Sequence, residues 1–401
     1  MNGLDVFWYL PTQGDERYLG TSHGLRKPTP AYLQQITQAV DSLGYGGMLL
    51  GTGTKLDPLI VATSLIHVTK RLKFLVAARP SIMTPALWAR MAASFDQLSQ
   101  GRILLNIVTG GSTEQLESDG IFADHEERYE ITDEFLHIWR SLMLGETVNF
   151  EGKHLRIKNG QQQLQPIQKP YPPLYFGGSS PAALDVAARH IDVYLSWGEP
   201  PAMVREKIEE VRRRAATHGR TLRFGIRLHI IARETDAEAW AVAEKLIQHV
   251  SDESIQRTLK SYERSESEGQ KRMASLHNGR RDSLEIYPNL WAGVGLARGG
   301  AGTALVGSGQ SIARLMGEYQ ELGIDTFVLS GYPSLEEAYH CAEYVFPHLK
   351  QPVPATSPFN SGTEGPQMAR WRTAHDVSES AVQSPLTKVA ARNEPALSGR
   401  N

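Results

Sequence analysis

Eight short apolar runs, each bounded by turn residues and followed by a helical stretch, recur along this chain and restrict its fold more than any other feature. They cover 5–11, 46–52, 73–79, 102–110, 174–178, 193–198, 223–231 and 326–331. Helical periodicity covers 32–43, 59–68, 86–98, 128–143, 182–190, 203–218, 237–250 and 312–322. Such strand–helix alternation implies an α/β protein with a parallel sheet. Eight strands in one chain of this length predict a closed (β/α)8 TIM barrel. The alternative, an open doubly wound sheet, would show a glycine fingerprint after its first strand. Here that strand runs into Leu10-Pro-Thr-Gln13-Gly-Asp15, without one.

Two stretches break the rhythm. The segment 251–310, between strands seven and eight, is too long for a simple connection and predicts an active-site lid. It holds a helix over 253–263, a polar run over 264–270 and a glycine-rich stretch over 291–309. In that stretch, Gly299-Gly-Ala-Gly lacks the features of a nucleotide loop and is expected to be a flexible hinge, with Arg298 free to swing over the barrel mouth. Residues 351–401 are rich in Pro, Ser, Ala and Gly, so the barrel is expected over 1–350 and a disordered or subunit-contacting tail beyond it.

Composition excludes several functions. A net charge of -2 leaves no global basic field for nucleic acid or an anionic membrane. No apolar run reaches the roughly 18 residues of a spanning helix. The single Cys341 allows no internal disulfide, and the first residues lack a signal-peptide pattern, so a cytoplasmic protein is expected. His67, His125, His190 and His277 show no metal-ligand spacing, and no metal is expected.

In such barrels chemistry sits at the carboxyl ends of the strands. Strand seven carries the least ordinary pattern: Arg227 and His229 share one face, while Ile226, Leu228 and Ile230 share the other. Burying a guanidinium beside an imidazole is costly unless an anion lies opposite. Strand five ends Gly177-Gly178-Ser179-Ser180-Pro181 and leads into a helix. A serine N-cap and a phosphate site fit this short run equally, and the Gly-Gly pair favours phosphate. Trp197 and Tyr332, taken alone, are as readily barrel rim as ligand wall.

The runs Phe7-Trp-Tyr-Leu-Pro-Thr-Gln-Gly-Asp, Tyr171-Pro-Pro-Leu-Tyr-Phe-Gly-Gly-Ser-Ser, Trp197-Gly-Glu-Pro-Pro, Phe224-Gly-Ile-Arg-Leu-His and Asn289-Leu-Trp-Ala-Gly-Val-Gly-Leu resemble the bacterial alkanesulfonate monooxygenases of the luciferase-like superfamily. The resemblance spans about 5–349. It implies reduced FMN from a separate NAD(P)H-dependent flavin reductase, O2 as cosubstrate, and cleavage of an organosulfonate to an aldehyde and sulfite. It also implies a homodimer or homotetramer. By the same resemblance Trp197, Arg227, His229, Arg298 and Tyr332 match active-site positions. Gly178, Ser179 and Ser180 match the FMN phosphate loop, and Asn106, Thr109 and Tyr129 are implied flavin contacts.

Three positions depart from that family. Gln13 and Ser334 stand where it usually has histidine, and the loop after strand two, Gly51-Thr-Gly-Thr-Lys-Leu-Asp-Pro, lacks its cysteine and is one residue shorter. Gln13 and Ser334 are therefore expected to set substrate range, with flavin chemistry unchanged. Other readings keep the flavin but take a sugar sulfonate, sulfone, alkane or aldehyde, or make the chain a non-catalytic flavin binder.

Overall fold

The computed structural model describes residues 4–52 and 56–349. The proline- and serine-rich tail and Gly53–Lys55 of the loop after strand two lie outside the described residues.

All eight expected strands form. The first four are β1 (Asp5–Tyr9), β2 (Gly47–Leu50), β3 (Lys73–Ala78) and β4 (Ile103–Ile107). A peripheral antiparallel hairpin, β5 (Val148–Glu151) and β6 (Arg156–Gly160), precedes β7 (Leu174–Phe176), β8 (Val193–Trp197) and β9 (Arg223–Arg233). The insertion then contributes β10 (Glu285–Tyr287), β11 (Leu290–Trp291) and β12 (Ala304–Ser308) before β13 (Ile324–Ser330). Parallel pairings run β1–β2–β3–β4–β7–β8–β9–β13, and β13 returns to β1 through Asp5 opposite Thr326. The sheet closes into the expected (β/α)8 barrel.

Local sequence explains where the helices begin. Thr29-Pro30, Asp57-Pro58, Thr84-Pro85 and Ser180-Pro181 each place a capping side chain before a proline at the first helical position. Each cap accepts a backbone N–H of the first turn, and proline has no N–H to leave unmet there. Phe7, Leu49, Leu75, Leu104, Tyr175 and Val328 fill the barrel interior. A larger apolar layer that includes Trp8, Phe74, Phe135 and Trp139 packs the sheet against the helices.

The insertion is more ordered than a hinge. β9 runs eleven residues, and only its first part pairs with β8, from Arg223 to Arg227. Where β8 stops at Trp197, β12 takes over that edge in parallel, from Ala304 opposite His229 to Ser308 opposite Arg233. The expected hinge over 299–307 is thus partly a buried strand. Its glycines serve close packing: a Cβ on Gly302 would lie 3.0 Å from the Gly295 Cα. The Gly295 N–H donates to the Gly302 carbonyl at 2.9 Å. Ahead of this strand lie the expected helix, at Asp252–Glu263, and a second at Glu268–Ser275.

Candidate active site

A cavity of about 1220 Å³ opens at the carboxyl ends of the strands, between the barrel and the insertion. It exceeds the roughly 300–1,000 Å³ of common small-molecule pockets. Asn106, Thr109, Tyr129, Gly178, Ser179, Ser180, Trp197 and Arg227 all line it. His229, Arg298, Tyr332, Gln13 and Ser334 do not.

One end of the cavity is built by the turn from β7 into the helix Pro181–His190. The Ser180 hydroxyl accepts from the Ala183 N–H, so Ser180 is an N-cap as well as cavity wall. Tyr194 donates to the Gly178 carbonyl at 2.5 Å and fixes the turn from below. The two glycines answer to protein neighbours: a Cβ on Gly177 would lie 2.6 Å from the Leu195 carbonyl oxygen, and one on Gly178 would lie 2.6 Å from the Ala183 Cβ. What results is a helix N-terminus open to the cavity with Ser179 beside it, an arrangement that accepts a phosphate. Asn106 near the end of β4, Thr109 just beyond it, and Tyr129, whose ring meets Phe176 edge-on at 6.4 Å, form the adjoining wall.

Arg227 stands at the other pole. Its Nη1 donates to the Leu228 carbonyl and, at 3.3 Å, to that of Val328, while Nη2 donates to the Ser330 hydroxyl at 2.8 Å. The guanidinium lies 5.1 Å over the Tyr9 ring. Burial pushes its pKa down to about 10, with Arg298 adding to the effect. No carboxylate among the described residues pairs with it. A cation held this way, facing a cavity, has room for an anion.

Behind Arg227 lies a connected cluster. His229 is buried, bonded through Nδ1 to Ser330 at 2.7 Å and through Nε2 to the Ala301 carbonyl at 2.9 Å. Its ring stacks on Tyr332, with centroids 5.2 Å apart. Burial, with Arg227 and Arg298 nearby, holds its pKa well below the usual histidine value, so the ring is neutral. Arg298, expected to be mobile, donates to the Tyr332 hydroxyl at 2.5 Å. Burial raises the pKa of Glu16, and the charge of Arg298 opposes that rise.

Ser334, expected to help set substrate range, does not line the cavity. It is buried, its N–H donates to both Asp15 carboxylate oxygens at 3.0 Å, and its hydroxyl accepts from the Trp8 indole at 3.0 Å. Gln13 likewise stands off the cavity.

Several site residues escaped the reading of the sequence. Glu199 is fully buried just past β8 and binds Arg272 of the insertion at 2.6 and 3.1 Å and Lys207 at 2.9 Å. The Gln270 Oε1 accepts from the Gly300 N–H at 2.8 Å. A Cβ on Gly269 would lie 3.2 Å from the Trp197 ring. The helix Glu268–Ser275 thus closes the cavity from above. Glu199 and Ser330 are legible as polar residues at strand ends, although the sequence assigns them no role, and Arg272 carries no local signal. Among the described residues, no three His, Cys, Asp or Glu side chains are grouped to hold a metal ion, and no helix is long and apolar enough to cross a membrane.

A closed parallel barrel with its cavity at the strand ends is the architecture of many enzymes. A sequence profile of the luciferase-like monooxygenases matches residues 4–326, and the chain belongs to that family. Solved structures share the barrel at low identity. Long-chain alkane monooxygenase LadA is 19% identical with a TM-score of 0.69, over 86% of this chain and 90% of that one. EDTA monooxygenase EmoA from Chelativorans sp. BNC1 is 17% identical with a TM-score of 0.69, over 88% and 98%. The oxygenating constituent of 3,6-diketocamphane monooxygenase from Pseudomonas putida, solved with FMN, is 16% identical with a TM-score of 0.65, over 88% and 100%.

Proposed function

We propose that this protein is a two-component monooxygenase that uses reduced FMN and O2 to cleave the carbon–sulfur bond of an organosulfonate, releasing an aldehyde and sulfite. The observation that carries the reading is Arg227: a guanidinium on the cavity wall, without a carboxylate partner among the described residues, in the same cavity as a helix N-terminus. A sulfonate is a tetrahedral monoanion whose oxygens suit charge-assisted N–H donors.

The residues fit such a cofactor. The turn Gly178–Ser180 and its helix would hold the phosphate, and Asn106, Thr109 and Tyr129 would flank the ring. When bound, reduced flavin supplies the electrons that activate O2. Arg227 orients the sulfonate and holds its charge. Trp197 and the helix Glu268–Ser275 keep water from the space between them. Neutral His229 has both ring nitrogens engaged and acts by positioning rather than by moving a proton. A separate NAD(P)H-dependent flavin reductase, implied by the resemblance to the alkanesulfonate monooxygenases, is the proposed source of reduced flavin. A homodimer or homotetramer is proposed from the same family resemblance.

The test is sulfite release with reductase, FMN, NAD(P)H and a panel of short, long, aromatic and sugar sulfonates. An Arg227→Ala variant with unimpaired turnover would point instead to an uncharged substrate such as an alkane, aldehyde or sulfone.

A further inference from the structure

We infer that Ser330 is a positioning residue that joins the Arg227 guanidinium to the backbone of the insertion through His229; this rests on the proposed anion-holding role of Arg227. The directions of three hydrogen bonds carry it. The Ala301 carbonyl only accepts, so the hydrogen on His229 is on Nε2. A neutral imidazole then has its lone pair on Nδ1, and the partner there, Ser330, must donate. With its proton so used, the Ser330 oxygen accepts from Arg227 Nη2. The chain runs one way, Arg227 to Ser330 to His229 to Ala301, at 2.8, 2.7 and 2.9 Å.

The far end of this chain shapes the cavity. Ala301 follows Gly299 and Gly300, both on the cavity wall, and precedes Thr303, whose carbonyl accepts the His229 backbone N–H at 2.8 Å. The charged and titratable groups around the imidazole are Arg227, Arg298 and the stacked Tyr332, with Tyr9 under Arg227 and Glu16 beyond Arg298. Among the described residues no carboxylate bonds the ring, so none competes with Ser330 for Nδ1. A sulfonate that fixes Arg227 therefore also steadies residues 299–303, and the closed insertion in turn orients Arg227. Such coupling between two sites is reciprocal.

Amide hydrogen exchange on the whole protein, free and with 1-octanesulfonate, tests this. Ser330→Ala should speed exchange over 295–303 about tenfold, the size expected for loss of one charge-assisted hydrogen bond. Amides of β2 and β3 should keep their rates, and Ser330→Thr, which retains the hydroxyl, should return the segment close to the native rate. The sulfonate should slow exchange over 295–303 in the native protein and not in Ser330→Ala. Unchanged exchange in Ser330→Ala, a uniform increase over the barrel, or equal loosening in both variants would overturn the inference. A native protein that binds no sulfonate defeats the proposed function, while the free-protein comparison still decides the role of Ser330.

Discussion

Arg272, on a helix of the insertion, grips the buried carboxylate of Glu199 at the end of β8 through two hydrogen bonds of 2.6 and 3.1 Å. Lys207 shares the same carboxylate from the barrel side. Removing one partner of a buried ion pair leaves the other charge uncompensated, which costs about 3–5 kcal/mol. Arg272 is partly solvated, so the lower end applies. Glu199→Gln should lower stability by about 3 kcal/mol in urea denaturation. It should also make the segment 264–281 more sensitive to limited proteolysis than the rest of the barrel. Native-like stability and cleavage would show that the insertion is held by other contacts.

Arg227→Lys should be far from conservative. Three of the guanidinium's bonds go to the Leu228 carbonyl, the Val328 carbonyl and Ser330, and an ammonium cannot keep that fork while facing the cavity. We expect kcat/KM for a sulfonate to fall about 10- to 100-fold, the equivalent of one charge-assisted hydrogen bond. Folding should be preserved by circular dichroism. Steady-state sulfite kinetics measure the effect.

Gly178→Ala tests the phosphate end. The new methyl would meet the Ala183 Cβ at 2.6 Å and push the turn away from the helix N-terminus. FMN affinity should drop about tenfold or more, whereas riboflavin, which lacks the phosphate, should lose much less. Fluorescence titration of both flavins reads the difference. Equal losses would place the phosphate elsewhere.

Stability should fall as the medium is acidified below the ordinary histidine range. Burial lowers the pKa of His229, His190 and His277 from a reference of 6.5. Below that value the unfolded chain takes up protons that the folded chain refuses, so folding weakens with each step down in pH. Each such group contributes at most about 1.4 kcal/mol per pH unit. Asp15 and Glu16, raised by burial, act oppositely at lower pH. A thermal scan from pH 7.5 to 5.5 should show a falling Tm, and His229→Gln should flatten the slope. A Tm independent of pH over that interval would contradict the burial of neutral histidines.

The barrel was legible because each strand is a short apolar run and each helix carries its own periodicity. The cap–proline pairs at Thr29, Asp57, Thr84 and Ser180 could also have placed the helix starts one or two residues earlier. Arg227 and His229 were legible for the same reason: two polar residues at alternate positions of an otherwise apolar strand stand out. The strand Ala304–Ser308 was hidden by surrounding glycines, which signal hinges in sequence but here permit backbones to meet. Arg272 was invisible because its partner, Glu199, lies 73 positions away, and only the fold brings them together. The bonds of Ser334 to Asp15 and Trp8 carried no local signal, since both partners lie more than 300 positions away in the chain.

The proposed desulfonation requires that one cavity join a flavin site to an anion site at Arg227. Its most direct measurement is sulfite produced per NAD(P)H oxidised, with reductase, FMN and a sulfonate panel, in native protein and in Arg227→Ala. Sulfite should form from at least one sulfonate and should fall with Arg227→Ala while FMN binding survives. Reduced FMN binding with no sulfite from any sulfonate would contradict it.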